Sequence, residues 1–181
     1  MAIEGDADLV PSGHSRIDPW VISRDADAEI QFMRRAFGAQ ERPNSRMLNA
    51  DGTIGHVEVE LDGSVVMMFD AQPGWPDLPA HLRVYVEDVQ NTVDEAVAAG
   101  ARIVTRPTEL AFGERVARIR YPQGHLWWIH QRMGELDPDE LARRFADPSF
   151  QQAMAYVQES LTSELKGGNG LGEGPHRASE G

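Results

Sequence analysis

The chain has 181 residues, a net charge of −12 at pH 7 and a hydrophobic fraction of 41%. The length suits one domain with a substantial core. The lack of cysteine excludes disulfides, thiolate metal sites and a cysteine nucleophile. The negative charge argues against nucleic acid, and no apolar run approaches the ~18 residues that cross a bilayer, which argues against a membrane protein. The acidic start, Met1 to Asp6, does not resemble a secretory signal, so we expect a cytoplasmic protein.

The first elements in chain order are a lead-in, a strand and a helix. Residues 1–15 have the composition of a flexible segment, and Ile17 to Ser23 form a strand pattern. Asp25 is placed to cap the helix N-terminus and Gly38 to end it. The apolar stripe of this helix consists of Ile30, Met33 and Phe37.

Three further strands complete a predicted βαβββ module over residues 16–72. Arg46 to Asn49 form a short strand candidate. His56 to Leu61 alternate between polar and apolar residues, as a half-buried strand does. The dipeptide Asp62-Gly63 predicts a hairpin turn, and Ser64 to Asp70 form the returning strand.

A second βαβββ module is predicted over residues 80–132, after a linker at 71–79 that holds three prolines. It begins with a strand at His81 and continues with a helix that Gly100 ends. The apolar stripe of that helix consists of Val89, Val93, Ala96 and Val97. The remaining strand patterns are Arg102 to Val104, Val116 to Arg120, and His125 to His130.

Residues 133–166 predict a C-terminal helical extension. Asp137-Pro138 and Asp147-Pro148 are helix starts, each with an acidic cap before proline. One face of the second helix consists of Phe150, Met154, Val157 and Leu161. We expect this stripe to dock on the domain or on a second subunit. Residues 167–181 are rich in glycine and polar residues and are predicted to be disordered.

The two modules repeat one another position by position. The segment at Asp18 has the same pattern as the segment at His81, and Met67 corresponds to Trp128. Two copies of one unit pack most simply about a pseudo-twofold axis. The repeat therefore predicts a cavity on that axis, lined by equivalent positions of both copies.

Several dispersed segments resemble the vicinal oxygen chelate superfamily, which comprises glyoxalase, bleomycin-resistance and ring-cleaving dioxygenase proteins, and its PhnB-like branch in particular. The segments are Val21 to Asp25, Ala36 to Ala39, Tyr85 to Val89, Ala98 to Ala101, Phe112 to Arg115 and Tyr121 to Ile129. The resemblance implies an α+β fold in which two tandem βαβββ modules form a curved mixed sheet around a cavity. Residues 16–132 would be this glyoxalase-like domain, followed by the C-terminal helices, and the resemblance also implies a homodimer.

Metal enzymes of this superfamily place one ligand on the first and one on the last strand of each module. By resemblance those positions are Asp18, Met67, His81 and Trp128. Hard divalent ions prefer histidine nitrogen and carboxylate oxygen. Because Met67 is a soft thioether and Trp128 only donates an indole N–H, we predict neither a metal centre nor any other cofactor.

Side chains in phase with these positions share one face of the strands, and they are our candidate ligand-binding residues. The set is Asp18, Trp20, His56, Glu58, Met67, His81, Arg83, Tyr85, Arg118 and Trp128. Aromatic groups offer stacking surfaces, and the arginines could hold a carboxylate. Purely structural roles stay open for these residues, since His81 could be a core histidine bonded to Asp18, and Arg83 could pair with Glu58 or Glu60.

Three functions of the cavity remain compatible with the sequence, beside a fourth interpretation in which the chain is an interaction module that acts through its C-terminal helices. The first is metal-independent binding of an organic small molecule, as in members that sequester antibiotics or other natural products. The second is a metal-dependent lyase, isomerase or dioxygenase in which His56 or Glu58 joins His81. The third is a metal-free enzyme that uses His81 as general base, oriented by Asp18. The catalytic residues are therefore unknown.

Overall fold

The computed structural model describes residues 9–167. Within this range the contacts divide the chain into two compact units between Ala80 and His81. Each unit contains a mixed β-sheet and a helix that follows the first strand. Four strands follow the helix in unit 1 and three in unit 2, which also carries two C-terminal helices. The predicted α+β class with two modules and C-terminal helices is confirmed. The expectations of a flexible lead-in and a disordered tail concern residues 1–8 and 168–181 in large part, and these lie outside the described residues.

Unit 1 contains six regular elements. They are β1 (Trp20–Ser23), α1 (Ala26–Phe37), β2 (Gln40–Glu41), β3 (Met47–Leu48), β4 (Ile54–Leu61) and β5 (Ser64–Asp70). The strand order is β1-β5-β4-β2, and β3 also pairs with β4. Strands β1 and β5 are parallel, whereas β4 is antiparallel to β5, β2 and β3.

Two strands of unit 1 are shorter than predicted. β1 begins at Trp20 instead of Ile17, because Pro19 has no N–H for the ladder; its carbonyl still accepts a hydrogen bond of 2.9 Å from the Met67 N–H. The segment predicted as a strand from Arg46 to Asn49 pairs only at Met47–Leu48, where the register shifts. The helix caps agree with prediction, since Asp25 accepts from the Ala28 N–H and Gly38 adopts φ 75°.

The Asp70 carboxylate fixes helix α1 on one face of the unit 1 sheet. One oxygen accepts from the Ala26 N–H at 2.7 Å, and the other accepts from the Ile54 N–H at 2.6 Å. Alternation along β5 places Val66 and Met68 on the same face as Asp70. The core on this side includes Val21, Ile30, Phe32, Met33, Val57, Val59 and Met68.

Unit 2 repeats this arrangement. Its elements are β6 (His81–Tyr85), α2 (Val89–Ala98), β7 (Arg102–Leu110), β8 (Glu114–Arg120), β9 (Leu126–Arg132), α3 (Pro138–Ala146) and α4 (Pro148–Gly167). The strand order is β6-β9-β8-β7, with β6 and β9 parallel. Gln131 Oε1 accepts from the Val89 N–H at 3.2 Å, so α2 lies on the sheet face that carries Trp127, Ile129 and Gln131.

The C-terminal helix α4 packs against the opposite face of the unit 2 sheet. Val157 is its one buried residue, and it forms an apolar cluster with Leu110 and Val116. The predicted stripe therefore docks on its own chain. Among residues 9–167, no helix is long and apolar enough to cross a membrane.

Buried His125, directly before β9, makes the stability of unit 2 depend on pH. Burial lowers its pKa from 6.5 to about 4, and the charge of Arg120 contributes further. The unfolded chain therefore binds a proton below pH ~6.5 that the folded chain takes up only near pH ~4, so acidification over this range destabilises the fold.

We expect this histidine to account for about 2 kcal/mol of stability lost between pH 7 and 4.5, since one pKa unit corresponds to about 1.4 kcal/mol. Urea denaturation of the wild type and His125→Gln at both pH values measures it. The variant should lose less stability on acidification than the wild type. Equal losses in the two proteins would contradict the assignment.

Candidate functional site

The face of the unit 1 sheet turned away from α1, here called the open face, carries four of the predicted ligand-binding residues, namely Trp20, His56, Glu58 and Met67, whereas Asp18 precedes β1. The strand register places Trp20, Met67 and Glu58 side by side on β1, β5 and β4. Directly opposed residues in adjacent strands point to the same side of a sheet. The predicted phase of these three strands therefore agrees with the observed register.

Aromatic rings form a cluster on this open face. The Trp20 ring centroid lies 5.5 Å from that of His56 and 5.3 Å from that of Phe69, both in edge-to-face geometry. Trp75, from the segment after β5, approaches Phe69 at 6.0 Å. Although it makes these contacts, Trp20 remains 49% exposed. The aromatic cluster of Trp20, His56, Phe69 and Trp75 thus presents ring surface to solvent.

A network of charged groups adjoins the cluster. Asp18 accepts a 2.7 Å hydrogen bond from His14 Nδ1 and a 3.0 Å bond from the Ser15 N–H, and these bonds lower the pKa of its carboxyl group. Arg42 donates to Glu58 at 2.8 Å and lies 3.1 Å from His14 Nε2. Glu58 also lies 3.5 Å from His56 Nε2.

Sequence reasoning missed His14 and Arg42. His14 falls in the segment predicted to be a flexible lead-in, yet its ring connects that segment to β4 through Arg42 and Glu58. It also supplies Asp18 with a histidine partner from its own unit. Neither residue lies on a regular strand or helix, so no periodicity could have identified them; the four-residue spacing of His14 and Asp18 was the only available signal.

On the unit 2 sheet, the corresponding row consists of Arg83, Trp128 and Arg118. The Arg118 guanidinium carbon lies 3.9 Å from the Trp128 ring centroid, which is a stacking distance. Arg118 is only 6% exposed. Its terminal nitrogen donates to the Val157 carbonyl at 2.8 Å and to Thr105 Oγ1 at 3.1 Å.

Two buried N–H donors in this row have no hydrogen-bond partner within the described residues, namely Arg118 Nε and Trp128 Nε1. A buried donor left unpaired costs about 1–3 kcal/mol. Burial also lowers the pKa of Arg118, and no carboxylate among residues 9–167 forms an ion pair with it. This row therefore contains a buried cation, Arg118, and two N–H donors that are free to bind an acceptor, Arg118 Nε and Trp128 Nε1.

Helix α4 covers the Arg118 end of this row, which the sequence did not predict. Ser160 Oγ lies 2.8 Å from Thr105 Oγ1, and the Tyr156 hydroxyl accepts from the Arg106 N–H at 3.0 Å. Glu164 accepts two hydrogen bonds from Arg102, at 2.7 and 2.8 Å, and forms an ion pair with Arg120. Arg118 thus faces a helix of its own chain, and a ligand would reach it only if α4 moves.

The other predicted residues of unit 2 are more exposed. Tyr85 is 53% exposed, with its ring 5.7 Å from that of His130. His130 Nδ1 lies 2.7 Å from Glu114 Oε2, while burial lowers the pKa of the imidazole. His81 is exposed, and its ring lies 6.4 Å from that of Trp128.

The donor set does not fit the metal centre that the family implies. In the strand register Trp20 lies level with Met67, and Arg83 lies level with Trp128. Of the four positions that the family uses, Asp18 and His81 offer hard donors, whereas Met67 and Trp128 offer only a thioether and an indole N–H. Residues 9–167 contain no group of three histidine or carboxylate side chains arranged to hold a metal ion.

Comparisons with known proteins agree on one family. The model described as "Glyoxalase/Bleomycin resistance protein/Dioxygenase superfamily" matches residues 16–129. An uncharacterized protein of Mycobacterium tuberculosis is 29% identical over 136 residues, which cover 69% of this chain and 79% of that protein.

Two solved structures share the fold. TioX from Micromonospora sp. ML1 is 25% identical with a TM-score of 0.52, and the match covers 68% of this chain and 100% of TioX. The fosfomycin resistance protein FosX from Listeria monocytogenes, complexed with Mn(II) and sulfate, is 13% identical with a TM-score of 0.51; the match covers 70% of this chain and 95% of FosX. At that identity, the likeness to FosX concerns the fold alone.

Proposed function

The chain belongs to the glyoxalase/bleomycin resistance protein/dioxygenase superfamily, and from this premise we propose that it binds an organic small molecule without a metal ion. The observation that carries the proposal is the solvent-facing aromatic cluster on the open face of unit 1. Members of one fold family differ in function through such sites, so the argument rests on these side chains and not on the fold.

The aromatic cluster has the chemistry of a ligand-binding surface. Trp20 and Phe69 supply apolar ring faces, and His56 and Glu58 supply polar groups beside them. Sites for small molecules combine apolar walls with a few placed polar groups. A ring system of the ligand would stack on Trp20, while its polar substituents would reach His56 or Glu58.

The charged side chains on this face also restrict the charge of the ligand. Asp18, Glu58 and Glu60 carry three negative charges, and Arg42 supplies one positive charge that contacts both glutamates. The proposed ligand of this face is therefore neutral or cationic where it meets Glu58. Sequestration of an antibiotic or natural product without chemical change is compatible with such a surface.

The donor chemistry supports metal independence. Of the four positions that the family uses for ligands, Met67 and Trp128 offer only sulfur and an indole N–H, and the Asp18 carboxylate is hydrogen-bonded to His14 at 2.7 Å. The Mn(II) complex of FosX shows that the fold can hold a metal, but the metal ligands are side chains, which differ between proteins of one fold.

A homodimer is part of the same proposal, and light scattering on the purified protein tests it.

A screen of planar aromatic compounds by ligand-observed NMR, on protein treated with EDTA, tests the proposal. We expect compounds that bind and that quench or shift the tryptophan fluorescence. Binding that appears only after a divalent metal is added would contradict metal independence. A complete absence of binding, with and without metals, would contradict the function itself.

A further inference from the structure

We propose that the stacked pair of Arg118 and Trp128 is a second ligand subsite, specific for a carboxylate on an aromatic molecule, and that helix α4 is its lid. The inference rests on the proposed small-molecule binding and adds the chemical class of one ligand group. It also assigns a role to the C-terminal helix, which contacts Arg118 in the structure.

The first argument is the unused capacity of Arg118. The guanidinium carries five N–H donors, and the described partners are Thr105 Oγ1 and the Val157 carbonyl, which are both uncharged. Among residues 9–167 no carboxylate pairs with this cation, although it is only 6% exposed. Buried charges in proteins are paired as a rule, so the missing anion is expected from outside the described chain.

The second argument is the adjacent unpaired donor on Trp128. Its indole N–H and Arg118 Nε are both buried with no hydrogen-bond partner between residues 9 and 167, and the two side chains are stacked at 3.9 Å. Two donors on neighbouring planar groups suit a carboxylate, which accepts several hydrogen bonds at once. The ring of Trp128 supplies a stacking surface for an aromatic part of the same molecule.

The third argument concerns how α4 is attached. Only Val157 of the twenty residues of α4 is buried. Glu164 forms ion pairs with Arg102 and Arg120, and we call these three residues the clamp. The clamp lies one to two turns away from Val157, where Arg118 contacts the helix. Weakening the clamp should therefore ease opening of the helix without touching Arg118 or Trp128.

Isothermal titration calorimetry with 1-naphthoate and its neutral amide, in EDTA, tests the subsite. Arg118→Met should weaken naphthoate binding by at least about tenfold, since hydrogen bonds to charged groups are of that strength. Trp128→Phe keeps an aromatic ring at this position and removes the N–H together with the pyrrole part of the indole, so it provides a second variant in case the arginine variant misfolds. It should also weaken naphthoate binding, and it should affect the amide less.

The lid is tested separately with Glu164→Gln. Naphthoate should bind this variant severalfold more tightly, because a smaller part of the binding energy is spent on opening the helix. Glu159→Gln makes the same charge change at an exposed position of α4 and should leave the affinity unchanged.

Naphthoate binding that is insensitive to both Arg118→Met and Trp128→Phe would overturn the subsite, and failure of naphthoate to bind at all would do the same. Equal affinities of wild type and Glu164→Gln would overturn the lid. If other aromatic compounds still bind and respond to Trp20→Ala, the proposed function stands and only this inference fails. If no aromatic compound binds, both fail.

Discussion

Asp70→Ala should lower the free energy of unfolding by about 3 kcal/mol or more, because it removes two charge-assisted hydrogen bonds of about 1.5–3 kcal/mol each. The carboxylate accepts from the Ala26 N–H at the start of α1 and from the Ile54 N–H at the start of β4. Both donor residues are buried, at 0% and 3% exposure, so water cannot replace the lost acceptor well. Urea denaturation followed by circular dichroism measures the change.

Asp51→Ala is the matched control for Asp70. Asp51 also accepts two hydrogen bonds, both from Thr53, but it lies in an exposed turn. We expect a loss of less than about 1 kcal/mol there, because solvent satisfies the freed donors. If both variants lose the same stability, Asp70 does not fix the helix on the sheet as described.

Trp20→Ala should weaken binding of an aromatic ligand about thirtyfold, which corresponds to the ~2 kcal/mol typical of a buried aromatic anchor in a complex. The residue is half exposed in the free protein and contacts two other rings, so a ligand can bury the remaining ring surface. Titration of a compound found by the NMR screen, against wild type and variant, measures the effect.

Phe145→Ala provides the control for exposed aromatic surface. Phe145 on α3 is 50% exposed, close to the 49% of Trp20, but it belongs to unit 2 and is not a member of the aromatic cluster. Its removal should leave the affinity within about twofold, as for most contacts outside the energetic centre. A similar loss in both variants would indicate nonspecific hydrophobic adsorption and contradict a site at Trp20.

The internal repeat explains why much of the fold was predictable. Alternation along each strand indicated which residues share a face, and the observed rows follow that phase. The repeat even extends to the residues that hold the helices, since Asp70 and Gln131 occupy equivalent strand positions and each accepts from the first turn of its helix. A carboxylate and an amide do the same task there because both offer an oxygen acceptor.

The pairing register of the first strand of each module was not predictable from the repeat. The repeat shows which positions of the two modules are equivalent, such as Asp18 and His81, or Met67 and Trp128. It contains no information on which residues of neighbouring strands pair within one module. The hydrogen bond from the Met67 N–H to the Pro19 carbonyl sets that register, and it places Trp20 level with Met67. Pairing between strands distant in sequence depends on tertiary contacts.

The position of α4 was also beyond sequence reasoning. Its apolar stripe predicted docking, but the partner surface is specified by Arg118, Thr105 and Val116, which belong to the opposite side of the sheet from α2. Arg118 was expected to face a ligand. In the structure it faces the helix, because the Val157 carbonyl and the apolar cluster hold α4 on that face.

Metal content tests the central claim of metal-independent binding most directly. The purified, tag-free protein would be incubated with nickel, zinc, iron and manganese, desalted, and analysed by mass spectrometry, with His81→Ala treated in parallel. We predict only traces of each metal, far below stoichiometric amounts, and unchanged binding of aromatic ligands after EDTA. Near-stoichiometric metal that is lost in His81→Ala would contradict the account and favour a metal-dependent enzyme.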